Sequence, residues 1–272
     1  MFWTRLASGI VLMLVALTTM SLGGLPLALI SWAVSLIAFK ELTNALKCGN
    51  GLEILGYGGI TGYYLLLYFS GSHTLLFMCI VGIFFAFLFA YVISFPKFHA
   101  NEVMVALFAF LYGPVLLSFV YQTRMTTQGF YMVWMILISS WGCDTCAYVV
   151  GKLIGRKKIF PVLSPKKSLE GCIGGVLGTA LIGWLYGCLF VEKALGDEGI
   201  SWMLAVICAV GAVMSMVGDL AASGIKRNVE IKDYGKLIPG HGGIMDRFDS
   251  MIVTAPMTYF LTILLLPLAG GS

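Results

Sequence analysis

The residue types able to do chemistry are concentrated between Ser223 and Ser250, where the chain reads SGIKRNVEIKDYGKLIPGHGGIMDRFDS. Lys226, Arg227, Lys232, Asp233, His241, Asp246, Arg247 and Asp249 all stand in this stretch. Carboxylates bind a hard cation such as Mg²⁺, and Lys and Arg bind phosphate oxygens, so the mixture suits a metal-bound polyphosphate. Asp246 and Asp249 are three residues apart and share a helix face. Pro239-Gly240 and Gly242-Gly243 form turn backbone that a ligand can approach closely. The competing reading is a charged loop that neutralises itself at a surface. Two further acids set in apolar sequence, Asp144 and Asp219, weigh against it.

A charge at the centre of a bilayer costs roughly 3 kcal/mol on insertion scales, so such residues face polar cavities and have partners. Asp144 falls well inside an apolar run, about two turns before its polar end. It shares a stripe with Tyr148, Gly151 and Gly155, below a basic mouth in DTCAYVVGKLIGRKK. Asp219, Ser223 and Lys226 make a second column of acid, hydroxyl and amine, with Asp219 nearer a helix end and so shallower than Asp144. In SPKKSLEG, from Ser164 to Gly171, Lys166 and Lys167 precede Ser168, a candidate N-cap. A helix N-terminus beside lysines is an anion site. A basic patch for anionic head groups fits that segment equally well.

The elements that must position these residues are membrane helices. Of 272 residues 59% are hydrophobic and 11% charged, against about a quarter charged in soluble proteins. With about 20 apolar residues per span, nine candidates emerge: Leu6–Ser21, Leu25–Phe39, Ile54–Ser70, Thr74–Phe95, Val103–Tyr121, Phe130–Val150, Cys172–Val191, Trp202–Ala222 and Met245–Pro267. The first two are short and separated by Leu22-Gly23-Gly24, so they also read as a hairpin. The expected fold is all-α, a polytopic transmembrane bundle of about nine helices. It forms a single membrane domain over 1–272, with a plain apolar part at 1–129 and a catalytic part at 130–272. The seven Cys, mostly inside apolar runs, read as small buried hydrophobes, and the Cys143/Cys146 pair is weak as a metal or redox motif. The net charge of +4 is not a basic stripe for nucleic acid.

With nine spans, the N-terminus and the connections after even-numbered helices share one side. Of the 17 Lys and Arg, only Arg124 and Lys193 fall on the other. The positive-inside rule therefore puts the N-terminus and the polar cluster in the cytoplasm and the C-terminus outside. Short loops and the lack of a targeting segment point to a bacterial inner membrane.

The Ser223–Ser250 segment resembles the signature of the phosphatidate cytidylyltransferase (CDP-diacylglycerol synthase) family. The matching elements are Ser223, Ile225, Lys226-Arg227, Lys232-Asp233, Gly235, Ile238-Pro239, His241-Gly242-Gly243, Asp246-Arg247 and Asp249. DTCAYVVGKLIGRKK and SPKKSLEG are similar to that family's upstream motifs, so the resemblance covers Asp144 to Ser250. It implies a transferase of phospholipid biosynthesis that joins CTP to phosphatidate, with Mg²⁺, giving CDP-diacylglycerol and pyrophosphate. The expected catalytic residues are Asp219, Asp246, Lys226 and Asp144. Mg²⁺ is assigned to Asp219 and Asp246, with Asp144 and Asp249 as further acids and a second cation left open. Lys166, Lys167, Ser168, Ser223, Arg227, His241 and Arg247 are expected to bind substrate. His241 serves either as a base toward phosphatidate or to shape its turn. The expected partners are CTP, phosphatidate and membrane lipids, not nucleic acid, and a homodimer is left open.

Two alternatives compete: a CTP-dependent membrane lipid kinase, disfavoured by the complete signature, and an ion transporter using Asp144 and Asp219, disfavoured by the absence of an internal repeat. The topology makes its own prediction: a reporter fused after Ser272 should be active outside the cytoplasm, and a cytoplasmic readout removes the nine-span orientation.

Overall fold

A computed structural model describes residues 2–240 and 242–269, apart from the side chains of 2–6, 50 and 267–269. His241 lies outside the described residues. The described chain is all helix, in nine rods: α1 (Phe2–Leu22), α2 (Gly24–Ala45), α3 (Asn50–Phe69), α4 (His73–Ile93), α5 (Ala100–Arg124), α6 (Gly129–Ile154), α7 (Leu169–Leu195), α8 (Ile200–Asn228) and α9 (Met245–Ala269). Among the described residues, β structure is limited to isolated bridges between Lys158 and Ser168 and between Ile238 and Gly242. Seven helices, α2 and α4 to α9, are long and apolar enough to cross a membrane. The protein is thus a polytopic helical membrane protein.

α1 and α2 are separate helices joined at Gly23 and Gly24, whose φ values of 66° and 50° are left-handed. Glycine adopts these without a Cβ clash. Two helices outrun the limits that hydropathy suggests. α2 continues past Phe39 to Ala45, taking Lys40 and Glu41 into the helix. α8 continues past Ala222 to Asn228, carrying Lys226 and Arg227 in its last turn, where cations suit the helix dipole. α5, α6 and α7 each contain a π-turn, at Leu111–Val115, Ile138–Gly142 and Gly187–Val191. The second ends at Gly142, two residues before Asp144, and a π-turn resets the face on which following residues emerge.

The chain forms two compact units, Met1–Tyr121 with Val229–Arg247, and Gln122–Asn228 with Phe248–Ser272. In the first unit Phe39, fully buried on α2, fills the space beside Gly56 of α3. Buried hydroxyls pair between its helices: Ser35 with Tyr64 at 2.7 Å and Tyr63 with Ser118 at 3.1 Å. Such pairs satisfy polar atoms that lipid cannot.

In the second unit the helices meet through small residues. Gly171, Gly174, Gly175 and Gly178 of α7 lie against Cys143, Cys146, Ala147, Val150 and Gly151 of α6. Further along α7, Gly183 and Gly187 face Leu204, Cys208 and Ser201 of α8. Gly211 and Gly218 of α8 face Ser139 of α6 and the Asp249–Thr254 segment of α9. Lipid gives helices no hydrophobic reason to associate, so close backbone approach and van der Waals contact must do it. The Cys143/Cys146 spacing is accounted for by this packing, and both are free thiols.

A Cβ at Gly183 would stand 2.9 Å from the Cys208 Cβ and 3.0 Å from the Leu204 carbonyl oxygen, whereas one at Gly58 meets nothing within 4 Å. Gly183→Ala should therefore lower the Tm in detergent, at a cost of about 1–3 kcal/mol from overpacking. Gly58→Ala should leave it unchanged or raise it, since Ala is favoured over Gly in helices. Thermal unfolding of the two variants side by side checks this.

Candidate active site

In the second unit α6, α8 and α9 each bring one carboxylate to a common neighbourhood. Asp144 lies within electrostatic reach of Asp219 and Lys167, and Asp249 within reach of Asp219, Asp144 and Lys226. Lys167 Nζ forms a direct ion pair with Asp219 Oδ2, at 2.5 Å and partly buried. No other acceptor among the described residues hydrogen-bonds that ammonium. Asp249 is buried, and its Oδ1 accepts from the Ser250 backbone N–H at 2.8 Å.

The sequence reading set Asp144 about two turns deeper than Asp219. In the structure Asp144 lies 10 residues before the end of α6 at Ile154, and Asp219 lies 9 before the end of α8 at Asn228. α8 runs on past Ala222, where its sequence turns polar. The helix keeps going because its basic end emerges from the apolar zone.

Beside Asp144 opens a cleft of ≈ 460 Å³ between α6, α7 and the 155–168 connection. Asp144, Tyr148, Lys152, Lys158, Lys166 and Lys167 are among its lining residues. The volume is in the range of small-molecule sites, ~300–1,000 Å³. Asp144 is exposed into this cleft, with protein packed round the rest of it.

The basic connection is folded by its own hydrogen bonds. Glu170 accepts from the Arg156 N–H at 3.0 Å and from the Lys157 N–H at 3.2 Å. Lys158 Nζ donates to the Lys166 carbonyl at 3.0 Å. The Ser168 Oγ accepts from the Gly171 N–H at 3.2 Å, so Ser168 is the N-cap of α7. That cap occupies its hydroxyl in holding Lys167 at the start of the helix. Lys166 is exposed on the cleft, Ser223 is half-buried on α8, and Arg227 is exposed at its end.

Asp246 and Arg247 belong to the first unit, at the start of α9. Asp246 Oδ2 accepts from the Tyr234 N–H at 2.8 Å and the Gly243 N–H at 2.9 Å, closing the 234–246 loop on itself. Gly242 sits inside this closure with φ 87°, a left-handed conformation, against the Asp246 carboxylate. Arg247 is exposed. Sequence reasoning missed one residue of this loop's surroundings: Glu41 of α2 accepts from the Ile244 N–H at 3.0 Å and the Met245 N–H at 2.8 Å. The available signal was a lone acid in the last turns of an apolar helix.

Three carboxylates are gathered with two lysines. Clustered carboxylate oxygens suit a hard cation such as Mg²⁺. No three Asp, Glu, His or Cys side chains among the described residues form a closed metal cage. An Mg²⁺ ion does not need one, because it binds through one or two carboxylates plus substrate phosphates and water.

A membrane-embedded helical protein with a basic cleft and a knot of carboxylates has the parts of a transferase acting on phosphorylated substrates. The chain belongs to the cytidylyltransferase family, whose model matches residues 3–265. It is similar to proteins named phosphatidate cytidylyltransferase. That of Staphylococcus saprophyticus is 32% identical over 95% of this chain and 98% of the relative. Those of Staphylococcus haemolyticus and Staphylococcus aureus are 30% and 31% identical over the same shares. The protein is an enzyme of this family.

The crowding of the carboxylates yields a test. Asp249→Asn keeps the oxygen that accepts from Ser250 and removes a buried charge repelled by two others. Its Tm in EDTA should rise, as at strained functional sites generally, and the increase in Tm that Mg²⁺ brings should shrink. Thermal unfolding with EDTA and across an Mg²⁺ series reads both.

Proposed function

We propose that the protein joins CTP to phosphatidate and releases pyrophosphate, making CDP-diacylglycerol for phospholipid synthesis. The observation that carries this reading is the Lys167–Asp219 pair at the edge of a basic cleft beside Asp144, in a chain of the cytidylyltransferase family. A phosphate oxygen of phosphatidate attacks the α-phosphorus of CTP, the α–β bridging bond breaks, and the electron pair leaves with pyrophosphate. The lipid phosphate is itself the nucleophile, so no enzyme nucleophile is required.

The work of the protein is to bring two mutually repelling anions together and to neutralise charge on the leaving group. Lys152, Lys158 and Lys166 line the cleft and attract both substrates. Lys167, paired with Asp219, and Lys226, within electrostatic reach of Asp249, hold phosphate oxygens. Asp144, Asp219 and Asp249, with Asp246 on the same helix as Asp249, are the candidate Mg²⁺ ligands. When bound, Mg²⁺ screens the triphosphate and stabilises the departing pyrophosphate. The bias of basic residues supports a cytoplasmic site with the N-terminus on the same side, and the reading takes the membrane to be a bacterial inner membrane.

Purified protein incubated with CTP, Mg²⁺ and phosphatidate should yield a CDP-lipid and pyrophosphate. A phosphorylated lipid with CDP would make it a kinase, and neither product would return the transporter reading. Changing Lys167 and Lys226 together to Ala should reduce turnover by at least ~100-fold, the scale of losing preorganised charge stabilisation. Unchanged turnover would eliminate the clamp. Asp219→Asn and Asp246→Asn, assayed across an Mg²⁺ titration, test the metal assignment, and wild-type curves for both would refute it.

A further inference from the structure

Glu41 is a charged side chain of the first unit that neither the signature motif nor the chemistry above uses. It lies near the end of α2, a helix apolar enough to span a membrane, and is 7% exposed. Both of its oxygens are engaged by the 234–246 loop: Oε1 accepts from the Ile244 N–H and Oε2 from the Met245 N–H. Gly235 and Gly243 lie so close to this carboxylate that a Cβ on either would overlap it. Among the described residues no cation stands within ion-pair distance of Glu41.

A buried carboxylate without a counter-ion is expensive. A neutral Ser, Thr or Asn serves as a helix cap without that penalty. What the carboxylate adds is reach to two successive amides. Together with Asp246, it takes up three in a row: Gly243 N–H goes to Asp246, Ile244 N–H and Met245 N–H go to Glu41. The backbone around Asp246 is thus fixed by Glu41, and the Asp246 side chain is fixed by Gly243 and Tyr234.

We infer that Glu41 is a positioning residue for the reaction. Its carboxylate clasps the Ile244 and Met245 amides so that the loop presents Asp246 in a single geometry. The inference rests on the proposed nucleotidyl transfer and on Asp246 as one of its acids. It gives the N-terminal helices a part in the chemistry and requires an acid of glutamate length at this one place.

The test uses full-length enzyme in detergent. Glu41→Gln retains the shape but turns one acceptor into a donor facing an N–H. Turnover should fall about 10- to 100-fold, the scale of a small misplacement of a reacting group. The Mg²⁺ concentration for half-maximal activity should rise about tenfold, in the range seen when a group supporting a metal ligand is lost. Hydrogen exchange at the amides of Tyr234, Gly243, Ile244 and Met245 should accelerate at least about tenfold, while exchange across 200–228 stays unchanged. Gly235→Ala, which pushes a methyl group against the same carboxylate, should give the same pattern and serves if Glu41→Gln does not fold. A lowered Tm with the Mg²⁺ curve unmoved would make Glu41 a structural cap and overturn the inference, as would unchanged amide exchange in both variants. If the wild type makes no CDP-lipid, the proposed function fails. Amide exchange still decides whether Glu41 holds the loop.

Discussion

Gathering carboxylates inside an apolar bundle is the constraint on which the rest of the second unit depends. Asp144, Asp219 and Asp249 feel one another, and Asp249, the buried one, would be costly to keep charged alone. Lys167 is drawn into direct contact with Asp219, and Lys226 stands near Asp249. Acids and lysines held this close together are what a site for a cation and polyphosphate requires. Stability and function pull in opposite directions here, as they do wherever a site is organised for a charge that arrives with the ligand.

Holding the acids in register demands close helix packing. A chain with large side chains at every contact would keep the helices too far apart. The glycines of α7 and α8 let backbone approach backbone, and Gly218 sits directly against the Asp249 and Ser250 main chain. The smallness of these residues and the placement of the acids are therefore one design: the first fixes the distances that the second uses. The π-turn at Ile138–Gly142 serves the same end, since it aims the turn that follows it and carries Asp144.

In the first unit, the signature loop is organised by carboxylates acting on backbone. Asp246 and Glu41 between them hold four amides, and Ser8 of α1 donates to the Pro239 carbonyl at 3.2 Å. A loop with Gly240 at φ 79° and Gly242 at φ 87° has much conformational freedom to lose. Anchoring its backbone at several points replaces the regular ladder that a helix would supply.

The amino-acid sequence by itself determined the fold class, the nine helices of the described residues and the segments that carry the basic residues. Hydrophobic length and the rarity of charge are local properties, legible residue by residue. The reading of α8 failed at its end because polar residues mark where a helix leaves the apolar zone, not where it stops. Only the tertiary structure decided that Asp144 and Asp219 lie at similar distances from their helix ends, that Lys167 pairs with Asp219, and that Ser168 caps α7. Glu41 is the sharpest case. It is 203 residues from Ile244, the amide it holds, and nothing in the pattern around it names that partner. Which carboxylate meets which donor depends on helix packing and turn geometry across the whole chain, and those are set by the sum of many distant contacts.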